Sequence, residues 1–150
     1  MGRTAGNDAG TMILLDTNVV IYASHPESPF HQWALALIAS SSEGEGIAIN
    51  AISIAEFCTG DLNPQSVMDR LLDWEIRILD IPASAAVVCA AAYRNYRKRR
   101  ADDFGNPGPA TPLPDFFIGA HAHIMGWEIA TADKGRFATY FPSVKLLLPN

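Results

Sequence analysis

The sequence predicts an α/β domain, a mainly parallel sheet of about five strands with helices packed on its faces. Two observations carry that prediction. Short β-branched runs alternate along the chain with longer segments of helical period, the pattern of repeated strand–helix crossovers. The 150 residues are 49 % hydrophobic, enough for one core, and no internal repeat or second apolar block divides them. A chain of this length buries roughly two thirds of its unfolded surface.

The first strand is expected at 13–16, where "ILLD" runs apolar residues straight into an acid. A helix at 17–24 follows at once. The helix at 30–41 carries Phe30, Trp33, Leu37 and Ile38 at the spacing of a buried stripe. "IAIN" marks a strand at 47–50, and "SIAE" opens a helix at 53–59 in capping-box form, Ser53 at the cap and Glu56 three residues on. Val67, Leu71 and Trp74 form the apolar stripe of a helix at 64–74, after which a strand at 77–81 leads into a helix at 84–100.

The next segment, 101–114, breaks the regular layout. "ADDFGNPGPATPLP" is rich in Pro and Gly and long for a connection in a small domain. It reads equally as a solvated linker or as a loop that meets substrate or partner. A helix at 114–125, a strand at 128–131, a helix at 135–140 and a strand at 145–148 complete the pattern.

Residues 1–11 have no apolar centre for a secretory or membrane signal and are expected to be a disordered leader before a domain at 12–150. No apolar run approaches the ~18 residues of a membrane span. Cys58 and Cys89 show no CxxC or Cys/His ligand spacing, so they are expected to be buried thiols of a soluble, cytoplasmic protein.

Sixteen Asp and Glu against eleven Lys and Arg give a net charge of -5. That argues against a nucleic-acid binder working by bulk positive potential. It does not argue against a nuclease, whose bound cations supply positive charge locally.

Parallel strands joined by right-handed crossovers put their carboxyl ends on one edge, where ligands usually bind. Asp16 closes the first strand, Glu56 lies in the helix after the second, Asp115 begins the helix leading to the fourth, and Asp133 follows that fourth strand. Each has an ordinary explanation. Asp16 can cap a helix, Glu56 can complete a capping box, Asp115 suits the positive end of a helix dipole, and Asp133 can shape a turn. Capping alone gives no reason to gather four acids whose repulsion should raise their pKa values. A hard divalent cation does, since Mg²⁺ takes oxygen ligands and is typically held by one or two carboxylates plus water and substrate phosphate.

At these residues the chain resembles the PIN domain family, in particular its VapC-type ribonuclease toxins. The matching pieces are "ILLDTNVVIY", "ISIAEF", "PDFFIGAHA" and "IATADKGRFATYFPSVKLLLP", in the family's order from Met12 onward. The resemblance implies a three-layer α/β/α sandwich and Mg²⁺- or Mn²⁺-dependent endonucleolytic cleavage of RNA. It matches Asp16, Glu56, Asp115 and Asp133 to the acidic catalytic and metal-binding set, with Asn18, Ser53 and Thr131 as supporting polar residues. Asp16 and Asp115 are expected as direct ligands, Glu56 and Asp133 as completing the cluster directly or through water. A homodimer and a VapB-like antitoxin partner are implied as well. The chain departs from the family in its longer leader and its longer, proline-rich loop before Asp115.

"RNYRKRR", residues 94–100, holds five of the eleven basic residues. Arg94, Arg97 and Arg100 recur at helical spacing and could meet RNA phosphates beside Tyr93 or Tyr96. A solvated helix end is the ordinary alternative. His121 and His123, two apart on a helix, face different ways and suit packing or surface roles rather than a shared metal.

Rival chemistries fit less well. A haloacid-dehalogenase-like phosphatase needs a second acid two residues after the first, where Asn18 stands. A receiver domain lacks its adjoining acids and its phosphorylatable Asp, and "GEGIAI" lacks the third Gly of a dinucleotide turn. Two alternatives remain open: a PIN nuclease of RNA processing, and a non-catalytic PIN-like module that binds RNA or protein.

Overall fold

The computed structural model describes residues 11–40, 46–59, 63–106 and 112–150; the expected leader up to residue 10 and the middle of the proline-rich segment lie outside them. Along the chain run β1 (Ile13–Leu15), α1 (Thr17–Ser24), α2 (His31–Ala39), β2 (Ile47–Asn50), α3 (Ala51–Cys58) and α4 (Pro64–Asp73). Then follow β3 (Arg77–Leu79), α5 (Ala85–Phe104), α6 (Leu113–Met125), β4 (Glu128–Ala130), α7 (Gly135–Tyr140) and β5 (Leu146–Leu147). The five strands form one sheet in the order β3-β2-β1-β4-β5, every pair parallel.

Side-chain alternation along the strands produces three layers. In β1, Leu14 joins a core with Cys89, Phe116 and Phe137 from α5, α6 and α7, while Leu15 joins a second core with Val19, Ile38 and Leu71 from α1, α2 and α4. β2 and β4 divide in the same way. Ala48 and Ile129 face the first core, whereas Ile47, Ile49 and Ala130 face the second. Because both faces are covered, these strands read as unbroken apolar runs rather than as alternating ones. Burying each of Leu14 and Leu15 contributes roughly 1.5–3 kcal/mol relative to exposure.

The same two cores fix where the strand ends point. From β1 the chain steps outward to β2 and β3, then returns to lay β4 on the other side of β1. The order therefore reverses between β1 and β4, and the crevice beyond the carboxyl ends of those strands is where open α/β sheets take ligands. Within the first core, Gly119 lets α6 approach Phe141, since a Cβ there would lie 2.4 Å from two carbons of its ring.

Two boundaries differ from the sequence expectation. α3 starts at Ala51 because Asn50, not Ser53, is its cap: the Asn50 side chain accepts hydrogen bonds from the Ile52 and Ser53 amides, each 3.1 Å. Ser53 is thereby inside the helix, the capping box does not form, and Glu56 sits in the second turn. α5 runs through the first four residues of the 101–114 segment, ending where Gly105 turns left-handed at φ 84°. Nothing in Ala101–Phe104 breaks a helix; the glycine does. No helix among the described residues is long and apolar enough to cross a membrane.

Candidate active site

Asp16 directly follows β1, and its backbone amide donates to the Ala130 carbonyl at the end of β4, 3.0 Å away. The ladder thus continues one step past the strand and fixes the acid in the crevice between the two. Asp16 occupies the N-cap position of α1 yet makes no side-chain capping bond. Its carboxylate instead accepts a 2.8 Å hydrogen bond from Thr131 Oγ1. The residue is only 5 % exposed. Burial pushes its pKa up to about 6; the Thr131 bond opposes this, while the charges of Asp115 and Glu56 reinforce it.

Asp16, Glu56 and Asp115, from three separate elements, line one cavity of about 380 Å³ together with Thr17 and Asn18. Glu56 reaches it from α3 and accepts a 2.7 Å hydrogen bond from Thr17 Oγ1. Asp115 stands in the first turn of α6, where it forms an ion pair with Arg136 of α7. Burial raises the Asp115 pKa; Arg136 pulls it back through hydrogen bond and charge, and the charge of Asp133 pushes it up again.

Asp133 is placed differently. Its Oδ1 accepts from the Gly135 amide at 3.2 Å and its own amide donates to Thr131 Oγ1 at 3.0 Å, so it shapes the turn into α7. It lines a neighbouring cavity of about 310 Å³ with Arg99, Arg100 and Arg136 rather than the acidic one. Its field nevertheless reaches the same place. The Tyr22 hydroxyl is pushed up first by burial and then by the charges of Asp16 and Asp133.

Among the supporting residues, Thr131 is buried against Asp16, and Asn18 is exposed on the acidic cavity. Ser53 is fully buried, and its hydroxyl has no hydrogen-bond partner among the described residues. Of the basic stripe, Arg100 lines the cavity beside Asp133, whereas Arg94 and Arg97 do not. Arg97 lies over the Tyr93 ring at 6.0 Å instead. His121 is buried and bonded to Asn50 at 3.2 Å, with burial lowering its pKa, while His123 is exposed beside Ser143.

Sequence reasoning passed over Thr17, Asn50, Arg99 and Arg136. Asn50 carried a local signal, an Asn between a strand and a helix. Arg136 carried none, because its partner lies 21 residues away in sequence.

The donor set is all oxygen, which suits a hard cation, and burial, the main cause of the raised Asp16 pKa, disfavours a carboxylate charge that a bound cation would offset. No three acidic, His or Cys side chains among the described residues form a ready-made metal cluster. Each cavity carboxylate is turned toward a donor of its own: Thr131, Thr17 or Arg136. Mg²⁺ asks for no more than one or two of them, with water filling the remaining positions.

Several families of α/β domains gather acids at the strand-order reversal of a parallel sheet, and the family model decides among them. The PIN domain family model matches residues 13–140, and the chain belongs to that family. Among solved structures it is similar to VapBC2 from Rickettsia felis bound to a DNA fragment from their promoter, at 23 % identity over 93 % of this chain and 100 % of that one, TM-score 0.60. It is similar to FitAcB from Neisseria gonorrhoeae at 28 % identity over 91 % of this chain and 96 % of that one, TM-score 0.58. DNA-bound VapBC from Salmonella typhimurium shares the fold at 19 % identity, 91 % and 97 % coverage and TM-score 0.61. No curated protein sequence matches the chain.

Proposed function

We propose that this chain is a metal-dependent endoribonuclease and the toxin of a VapC-type toxin–antitoxin pair. The observation that carries the reading is the cavity where Asp16, Glu56 and Asp115 meet, with Asp16 held at a pKa of about 6. Capping does not account for Asp16, whose side chain makes none of the usual capping bonds into α1 beyond the amide of the adjacent Thr17. Membership of the PIN family and the likeness to VapBC and FitAcB structures support the same reading.

Asp16 and Asp115 would hold a Mg²⁺ or Mn²⁺ ion, with Glu56 and Asp133 completing the set directly or through water. When bound, such an ion lowers the pKa of a water and stabilises the leaving oxygen of the scissile phosphodiester. Thr131 keeps one Asp16 oxygen fixed, and Asn18 offers its amide to a ligand or water at the cavity mouth. The Arg100 side of the neighbouring cavity can take an RNA phosphate. A VapB-like antitoxin, a homodimer and a cytoplasmic location belong to the same proposal.

The test is incubation of the purified protein with total RNA in Mg²⁺, in Mn²⁺ and in chelator, followed by mapping of new ends. Discrete cleavage that needs the metal is expected. Intact RNA under all three conditions would leave a binding module in place of an enzyme.

A further inference from the structure

We propose that Arg136 is the resident counter-ion of the acidic cavity: it holds Asp115 while no divalent cation is bound and competes with that cation for the same carboxylate. The inference rests on Asp115 being a cation ligand, as in the function proposed above. Arg136 Nη1 is bonded to Asp115 Oδ2, and the two side chains are 31 % and 30 % exposed, so the pair is neither sealed nor fully screened. The other two carboxylates of the cavity are met by neutral hydroxyls, Thr131 on Asp16 and Thr17 on Glu56. Asp115 is therefore where the cavity's own positive charge is supplied.

A guanidinium does not deprotonate in a protein. A divalent ion arriving at Asp115 meets like charge at close range, and the two compete for the same oxygens. The structure also provides a second seat for the displaced head. Arg136 already lies over the Tyr96 ring at 5.6 Å and lines the neighbouring cavity that Asp133 shares. Moving away from Asp115, it keeps the aromatic contact and gains an open face toward Asp133 or an RNA phosphate. A simple brace between α6 and α7 would have no such consequence for cation affinity, which separates the two roles.

The test uses the full chain freed of metal, without RNA, and reads Mn²⁺ affinity by calorimetry. Arg136→Gln is expected to bind Mn²⁺ about two- to fivefold more tightly than wild type, the range for an ion pair that no longer has to be broken. Arg136→Lys, which keeps the charge but loses the planar fork, is expected between them. Unchanged or weaker affinity in the Gln variant overturns the proposal. Should that variant fail to melt cooperatively in chelator, the Lys variant decides on the same criterion. Asp115→Asn separates this failure from that of the functional reading. If Mn²⁺ affinity survives in the Asn variant, or wild type binds none, the proposed metal site falls. If the Asn variant loses affinity while Arg136→Gln matches wild type, only the counter-ion role falls.

Discussion

Thr131 donates its hydroxyl to the Asp16 carboxylate at 2.8 Å, tying the end of β4 to the end of β1 where the strand order reverses. The bond lowers the Asp16 pKa against the larger effect of burial. Thr131→Val should therefore raise that pKa further, loosen the carboxylate and cut RNA cleavage about 10- to 100-fold, the usual cost of losing a group that orients a ligand. Thr131→Ser should restore most of it. The pH–rate profile checks the sign: the acidic limb should move to higher pH in the Val variant, and an unmoved limb would show that Asp16 does not titrate in the reaction.

Asp16 itself makes the metal-free protein sensitive to pH in an unusual direction. Its pKa rises from 3.8 to about 6 on folding. Below both values the acid is neutral in either state and costs nothing. As pH climbs from about 4 to about 6, the unfolded chain ionises more readily than the folded one, and stability is lost. A shift of this size corresponds to at most about 3 kcal/mol above the folded pKa. Asp16→Asn should match wild type near pH 4 and exceed it near pH 7, measured by denaturant unfolding in chelator. Equal stability at both pH values would mean that the carboxylate is not strained.

Asp115→Asn is expected to abolish cleavage without unfolding the protein. Burial and the charge of Asp133 disfavour the carboxylate, while Arg136 favours it, and the net effect raises its pKa. Removing the charge relieves the first two and forfeits an ion pair, about a third exposed, worth up to about 1 kcal/mol. Melting in chelator should stay within about 4 °C of wild type. Activity and stability lost together would instead point to a structural role at the start of α6.

The layered sheet was legible because both faces of β1, β2 and β4 are buried, so the strands appear as apolar runs that stop abruptly at Asp16, Asn50 and Thr131. That topology brought Asp16, Glu56 and Asp115 to one cavity as expected, while Asp133 lines the neighbouring one. What each acid touches was not legible. Thr17 reaches Glu56 across 39 residues and Arg136 reaches Asp115 across 21, contacts that no local pattern encodes. Helix starts failed for a related reason. Ser53 and Asn50 are both good caps, and the choice was made by where β2 ends in the sheet. At 101–104, proline and glycine farther along masked four residues that simply prolong α5.

The basic end of α5 offers a comparison internal to the protein. Arg100 and Arg99 line the cavity that Asp133 and Arg136 share, next to the acidic one, whereas Arg94 does not reach it and Arg97 lies over Tyr93. Arg100 packs over the Phe104 ring at 4.9 Å and Arg99 over the Tyr140 ring at 5.8 Å, which limits the freedom of both heads. A preordered cation loses less entropy on meeting a phosphate than a free one does. Arg99→Glu and Arg100→Glu should each weaken binding of a short single-stranded RNA to the cleavage-dead Asp115→Asn protein and lower the salt dependence by about one counterion or more. Arg94→Glu removes the same charge from the same helix, so bulk electrostatics predicts an equal loss there and a site beside Asp133 predicts a smaller one. Titrations at two salt concentrations decide between them, and equal losses at all three positions would reduce the basic run to a diffuse field.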